Sequence, residues 1–181
     1  MPPVLVVVGG LPATGKSTVA TLLARRIGCS YLRVDRIEQA IVAWSALAHP
    51  VGAVGYAVAY ELAGEQLSLG LNVVAECVNP IAVTRDAWVS TADRAGAGIV
   101  EVELVCSDSL VHRRRVQTRP SDVAGLVKPS WEHIGRSDYD PWDRAHLVID
   151  TADTPPVDAV EQIASEVAAR QRPRGSSPTT A

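Results

Sequence analysis

Phenylalanine is absent, aromatic residues make up 4% of the 181 residues, and only two lysines, Lys16 and Lys128, stand against 15 arginines. Lys and Arg together number 17 against 20 Asp and Glu, a net charge of -3. That balance provides no basic face broad enough for nucleic acid. Cysteine is scarce too: Cys29, Cys77 and Cys106 are odd in number and far apart. They fit neither a disulfide framework nor a zinc site, so a reducing, cytoplasmic setting is expected. Met1-Pro2-Pro3 lacks the basic stretch of a signal peptide. Residues 39–60 carry no charge apart from His49, but they are rich in Ala and interrupted by Pro50, Gly52 and Gly55. Two buried helices are expected there, not a membrane span.

What is present is ordinary globular composition. Apolar residues at 47% and charged residues at 20% exclude wholesale disorder. A chain of this length buries roughly 70% of its unfolded surface without staples. One domain is expected over residues 1–170, with a disordered tail at 171–181.

Hydrophobic runs alternate between strand and helix character. Strands are expected at 4–8, 30–34, 72–76, 99–106 and 146–149. Helices are expected at 16–27, 36–47, 51–69, 81–95, 107–119 and 157–170. The β-branched run at 4–8 has the character of a strand buried on both faces. The alternation predicts an α/β fold with a mostly parallel sheet covered by helices on both sides. Residues 120–142 have no periodicity and read as a long functional loop.

The strongest motif is Gly10-Leu11-Pro12-Ala13-Thr14-Gly15-Lys16-Ser17, followed by Thr18. It matches the G-x-x-x-x-G-K-[ST] phosphate loop in full, between a strand and a helix. Its backbone N–H groups would face phosphate oxygens, and the helix N-terminus adds positive charge. Lys16 would reach the β- and γ-phosphates, and the Ser17 hydroxyl would ligate Mg²⁺. A guanine-reading N-K-x-D pattern is missing.

In open α/β sheets ligands bind beyond the carboxyl ends of the strands. Asp35 and Glu76 are expected at two such ends. Asp35 is assigned as the base that orients and deprotonates an acceptor hydroxyl, and a helix cap is a compatible role. Glu76 is assigned as an acid on the metal or substrate side, with a salt-bridging surface carboxylate as the alternative. Arg115 and Arg119 share a helix face ahead of the 120–142 loop and suit charge developing on a transferred phosphoryl group. That loop would then be a lid that excludes water. Trp131, Tyr139 and Trp142 fit either a substrate pocket or lid packing, and Tyr60 is placed with Trp44 and Tyr56 on the acceptor wall.

These elements together resemble the P-loop kinases of the AAA-33 type. The resemblance rests on the phosphate loop, Asp35, the Glu76…Asn79-Pro80 segment, Arg85-x-x-Trp88 and Arg115/Arg119. It spans about residues 3–170. The group is similar in fold to shikimate, gluconate and nucleoside monophosphate kinases, and includes chloramphenicol phosphotransferase and polynucleotide 5′-kinase domains. The resemblance implies a three-layer sandwich with a five-stranded parallel sheet in 2-3-1-4-5 order, ATP with Mg²⁺, and phosphate transfer to a hydroxyl. By the same resemblance Asp35 is the acceptor-activating aspartate, Arg119 and Arg115 are lid arginines, and Arg85 is a substrate-side arginine. Where polynucleotide kinases carry an arginine three residues after the aspartate, this chain has Glu38. The expected activity is an ATP-dependent kinase acting on a small molecule such as an antibiotic, a nucleoside or a sugar. A polynucleotide or nucleotide kinase is the first alternative, and a nucleotide-dependent regulatory ATPase the second.

Overall fold

The computed structural model describes residues 1–120, 125, 129–135 and 138–172. Five strands, β1 (Val4–Gly9), β2 (Ser30–Arg33), β3 (Val73–Glu76), β4 (Gly98–Val105) and β5 (Leu147–Asp150), form one sheet. Its order is β2-β3-β1-β4-β5, and every pairing is parallel. This is the P-loop NTPase arrangement with helices on both faces.

The centre of the sheet is β1, whose residues Val4 to Val8 are wholly buried. Side-chain alternation along that strand builds two cores. Val4, Val6 and Val8 pack with α1 (Lys16–Ile27) and α7 (Pro156–Gln171) on one face. Leu5 and Val7 pack with α3 (Val54–Ser68) and α4 (Ala82–Arg94) on the other. The chain leaves β1 toward β2 on one side and leaves β3 toward β4 on the other. The topological switch point therefore lies between β1 and β3, where the carboxyl ends of adjacent strands leave a crevice.

Several boundaries differ from the sequence expectation. The helix α2 (Val34–Trp44) begins two residues early, so Asp35 lies in its first turn and does not end a strand. Val34 is buried at 2% and draws the turn inward, while extended Arg33 forms the N-cap. No side chain caps this helix, so the capping role considered for Asp35 is not used. An acid in a first turn still complements the helix dipole. The first of the two apolar helices ends at Trp44, not at residue 47. Among the described residues no helix is long and apolar enough to cross a membrane.

The helix α5 (Ser109–Thr118) is capped by Asp108, whose Oδ1 accepts from the N–H groups of Leu110 and Val111. Within the expected lid, α6 (Trp131–Ile134) is a single turn capped by Ser130. Residues 121–124, 126–128 and 136–137, also placed in the expected lid, lie outside the described residues. Of the expected tail, Gln171 is the last residue of α7, and residues 173–181 lie outside the described residues.

Candidate active site

The loop between β1 and α1 is shaped by its glycines at two points. At Gly10, φ is +132° and a Cβ would stand 2.3 Å from the Leu104 carbonyl oxygen, so any side chain would collide with β4. At Gly15, φ is +96° and the residue is the N-cap of α1. Both positions demand glycine. Ala13, at φ 66°, is left-handed without being glycine, a strained position of the sort that collects at ligand sites. The Leu11 carbonyl gathers the turn, accepting from the Thr14 hydroxyl at 2.9 Å and from Lys16 Nζ at 2.7 Å. The Gly10 N–H donates to Val78, tying the loop to the chain just past β3.

A cleft of about 610 Å³ opens over this loop. Pro12, Ala13, Gly15, Lys16, Ser17 and Thr18 line it from the loop side, and Arg33, Asp35 and Glu76 from the β2–β3 side. Arg115, Arg119 and Thr151 close the far side. Lys16, Ser17, Asp35, Glu76, Arg115 and Arg119 are thus brought to one crevice.

Lys16 is 9% exposed, at the start of α1. Burial lowers its pKa from the ordinary lysine value, and the nearby Arg119 charge adds to that effect. The Glu76 and Asp35 carboxylates oppose it. A polyphosphate would supply the missing negative charge.

Glu76 is 3% exposed and well partnered. Its Oε1 accepts from Ser17 Oγ at 2.6 Å, and its Oε2 accepts from the Tyr31 hydroxyl. This places Glu76 beside Ser17, the hydroxyl residue of the phosphate loop. Asp35 is 36% exposed at its side chain and faces the cleft. Arg33 lies between the two acids, 3.5 Å from Asp35 Oδ2 and 3.6 Å from Glu76 Oε1.

Arg115 donates to the Thr151 hydroxyl at 2.8 Å and to the Thr151 carbonyl at 2.9 Å. The Thr151 hydroxyl also lies 2.9 Å from the Thr14 carbonyl. Arg115 is therefore bound to the end of β5 and braces the phosphate loop through Thr151, although it was expected to share the lid role of Arg119. Arg119 is the C-cap of α5 and lines the cleft one turn further on.

Two expected substrate contacts stand elsewhere. Arg85 is wholly buried, with its guanidinium donating to the carbonyls of Asn79, Pro80, Asp140 and Pro141. Tyr139 and Trp142 pack over it, 5.4 and 4.4 Å from the guanidinium carbon to the ring centroids. It clamps two loops together and does not line the cleft. Tyr60 donates to the Thr84 carbonyl and packs edge-on against Trp88, which makes it core. Trp44 is 90% exposed. Trp131 packs edge-on against His112, and Trp142 stacks on His146, so the aromatic residues of the loop serve packing.

Sequence reasoning missed Tyr31, Arg33, His112 and Thr151. The His112 Nε2 lies 2.8 Å from the Pro12 carbonyl and so pins the phosphate loop from α5. The only signal in the sequence was position: Tyr31 and Arg33 alternate on the strand that leads to Asp35, and Thr151 follows the last strand.

The model of the family described as AAA domain, AAA_33, matches residues 5–127. No curated protein matches the chain. Among solved structures, a candidate kinase from Chloroflexus aurantiacus J-10-fl is 20% identical with a TM-score of 0.75, covering 94% of this chain and 98% of that one. An APS kinase of Mycobacterium tuberculosis, solved with AMPPNP and APS, is 20% identical with a TM-score of 0.69, covering 93% and 98%. A gluconokinase from Sinorhizobium meliloti 1021 is 22% identical with a TM-score of 0.63, covering 93% of each chain. These likenesses bear on the fold.

Proposed function

The chain belongs to the AAA domain family AAA_33, and from that premise we propose that it is an ATP-dependent kinase that phosphorylates a hydroxyl of a small molecule. The observation that carries this reading is the gathering of Lys16, Ser17, Asp35 and Glu76 around one cleft over a complete phosphate loop. The kinases of APS and gluconate among its structural neighbours support the same reading.

Mg²⁺ suits the donor set, because the Ser17 hydroxyl and the Glu76 carboxylate beside it offer hard oxygens and no soft ligand. When bound, MgATP supplies the transferable phosphoryl group. The loop N–H groups and Lys16 hold the phosphates, and Ser17 presents its hydroxyl oxygen to the cation. Arg115, fixed on Thr151, stands on the nucleotide side. Asp35 would hold the acceptor hydroxyl and take its proton at a carboxylate oxygen as that oxygen bonds to the γ-phosphorus and the bond to the departing ADP breaks. Arg119 adds positive charge where negative charge grows in the transition state.

Glu38 disfavours a phosphorylated or polymeric acceptor. It lies one turn after Asp35 and packs against the Cα of Gly55. Burial and the Asp35 charge raise its pKa, and a phosphate brought beside this pair of acids would add a further like charge. The test is an acceptor screen with radiolabelled ATP over hydroxyl-bearing antibiotics, nucleosides, sugars and oligonucleotides with free 5′ hydroxyls. The expected result is label on a small molecule, lost in Asp35→Asn. Label on the oligonucleotide would make the chain a polynucleotide kinase, and hydrolysis without any acceptor would make it a regulatory ATPase.

A further inference from the structure

Glu76 does not reach Ser17 unaided. It ends β3, in register with Arg33 of the edge strand β2. Tyr31 lies two residues earlier on β2, and its hydroxyl donates to Glu76 Oε2. The ring of Tyr31 packs against the core shared by α1 and β1, which fixes where the hydroxyl can lie. A chain of two hydrogen bonds results, from Ser17 to Glu76 and from Tyr31 to Glu76.

We propose that Tyr31, with Arg33 beside it, is a positioning residue for the catalytic cation, acting through Glu76 on the Ser17 hydroxyl. The inference rests on the kinase reading above. A serine hydroxyl has one proton and two lone pairs. With its proton given to Glu76 Oε1 at 2.6 Å, the oxygen is left to a cation as a pure donor of electron pairs. Glu76 can hold that proton in place only if its own carboxylate cannot rotate. Tyr31 fixes Oε2, and the Arg33 guanidinium 3.6 Å from Oε1 restrains the other side. Partners of this kind, one bond removed from a metal ligand, are typically worth about 10–100-fold in metal affinity.

The test is binding of a fluorescent, non-hydrolysable ATP analogue, titrated with Mg²⁺, to wild type and to Tyr31→Phe. The substitution keeps the ring and its packing and removes only the hydroxyl. The expected result is a rise of about tenfold or more in the Mg²⁺ concentration for half-maximal binding, with affinity for the metal-free nucleotide unchanged. Arg33→Gln is expected to move the same midpoint in the same direction by a smaller factor. A merely structural tyrosine would lower the melting temperature and leave the Mg²⁺ midpoint in place. A Tyr31→Phe titration that overlays wild type, or an equal loss of metal-free affinity, overturns the inference and leaves the kinase reading standing. If wild type itself binds no nucleotide with or without Mg²⁺, both fall together.

Discussion

Ser17 and Glu76 are 59 residues apart in sequence and meet at 2.6 Å, hydroxyl to carboxylate. That contact separates the roles of the two acids in the cleft. Glu76 has both oxygens engaged, by Ser17 and by Tyr31. Asp35 has Arg33 at 3.5 Å and a side chain open to the cleft. An acceptor hydroxyl can approach Asp35, whereas at Glu76 it would have to displace Ser17 or Tyr31.

The pair of isosteric substitutions should therefore separate cleanly. Asp35→Asn is expected to lose about 10²–10⁴-fold in transfer rate while binding nucleotide normally. Glu76→Gln is expected to raise the Mg²⁺ requirement. Single-turnover transfer and Mg²⁺ titrations on both variants check this. Full transfer by Asp35→Asn together with a dead Glu76→Gln would reverse the assignments.

Lys16 gives a pH prediction. Its burial lowers its pKa below the ordinary value of 10.5. The charged form that phosphates need is thus lost at lower pH than for an exposed lysine. Nucleotide affinity should fall as pH rises on the alkaline side, and binding there should take up a proton, because the phosphates restore the charged form. Calorimetry in buffers of different ionisation enthalpy reads that proton. The sign for folding is opposite to that of a paired lysine. The folded state binds this proton less readily than the unfolded state, so the buried charge costs stability below the folded pKa. Lys16→Met should be more stable to unfolding by about 0.5–2 kcal/mol in the absence of nucleotide, and lose the stabilisation that nucleotide gives. An affinity independent of pH up to the ordinary lysine range would contradict the burial argument.

Arg85 is expected to matter for folding and not for substrate recognition. Its removal leaves four carbonyls short of a donor and a hole beside Trp142. Arg85→Ala should cost about 3–5 kcal/mol, the range of core lesions with lost polar partners. Denaturant unfolding measures it. Near-normal stability with a raised acceptor KM would restore the substrate-side role that the family resemblance implies.

The phosphate loop was legible in the sequence because its chemistry is local: eight consecutive residues specify the turn, the charge and the hydroxyl. The sheet was legible because a β-branched run such as Val4 to Val8 has few other places to go. Arg85 could not be read in the same way. Whether an arginine binds a ligand or four carbonyls depends on Asp140 and Pro141, some 55 residues away. Tyr31, Arg33 and Thr151 were hidden for the same reason, since each gains its role only when the strands are laid side by side. Asp35 lines the cleft even though its element differs from the expectation, because the end of β2 and the first turn of α2 open on the same crevice.

The last prediction separates the two arginines of α5, which the sequence had placed together on one face. Arg115 makes two hydrogen bonds to Thr151, and Thr151 reaches the Thr14 carbonyl of the phosphate loop. These contacts build Arg115 into the frame that holds the phosphate loop. Its loss should weaken binding and leave the chemical step alone. Arg119 lies at the C-terminus of the same helix, and its charge is felt at Lys16. Its charge is worth most where the phosphoryl oxygens gain negative charge in transit. Arg115→Ala is thus expected to raise KM for ATP with kcat little changed, and Thr151→Val should reproduce much of that effect. Arg119→Ala should lower kcat and kcat/KM together, the signature of an interaction made in the transition state. Steady-state kinetics on the three variants, with nucleotide affinity measured separately, decides it. A fall in kcat alone for Arg115→Ala would mean that its bonds to Thr151 break during turnover, and that the guanidinium then moves over the reacting phosphate.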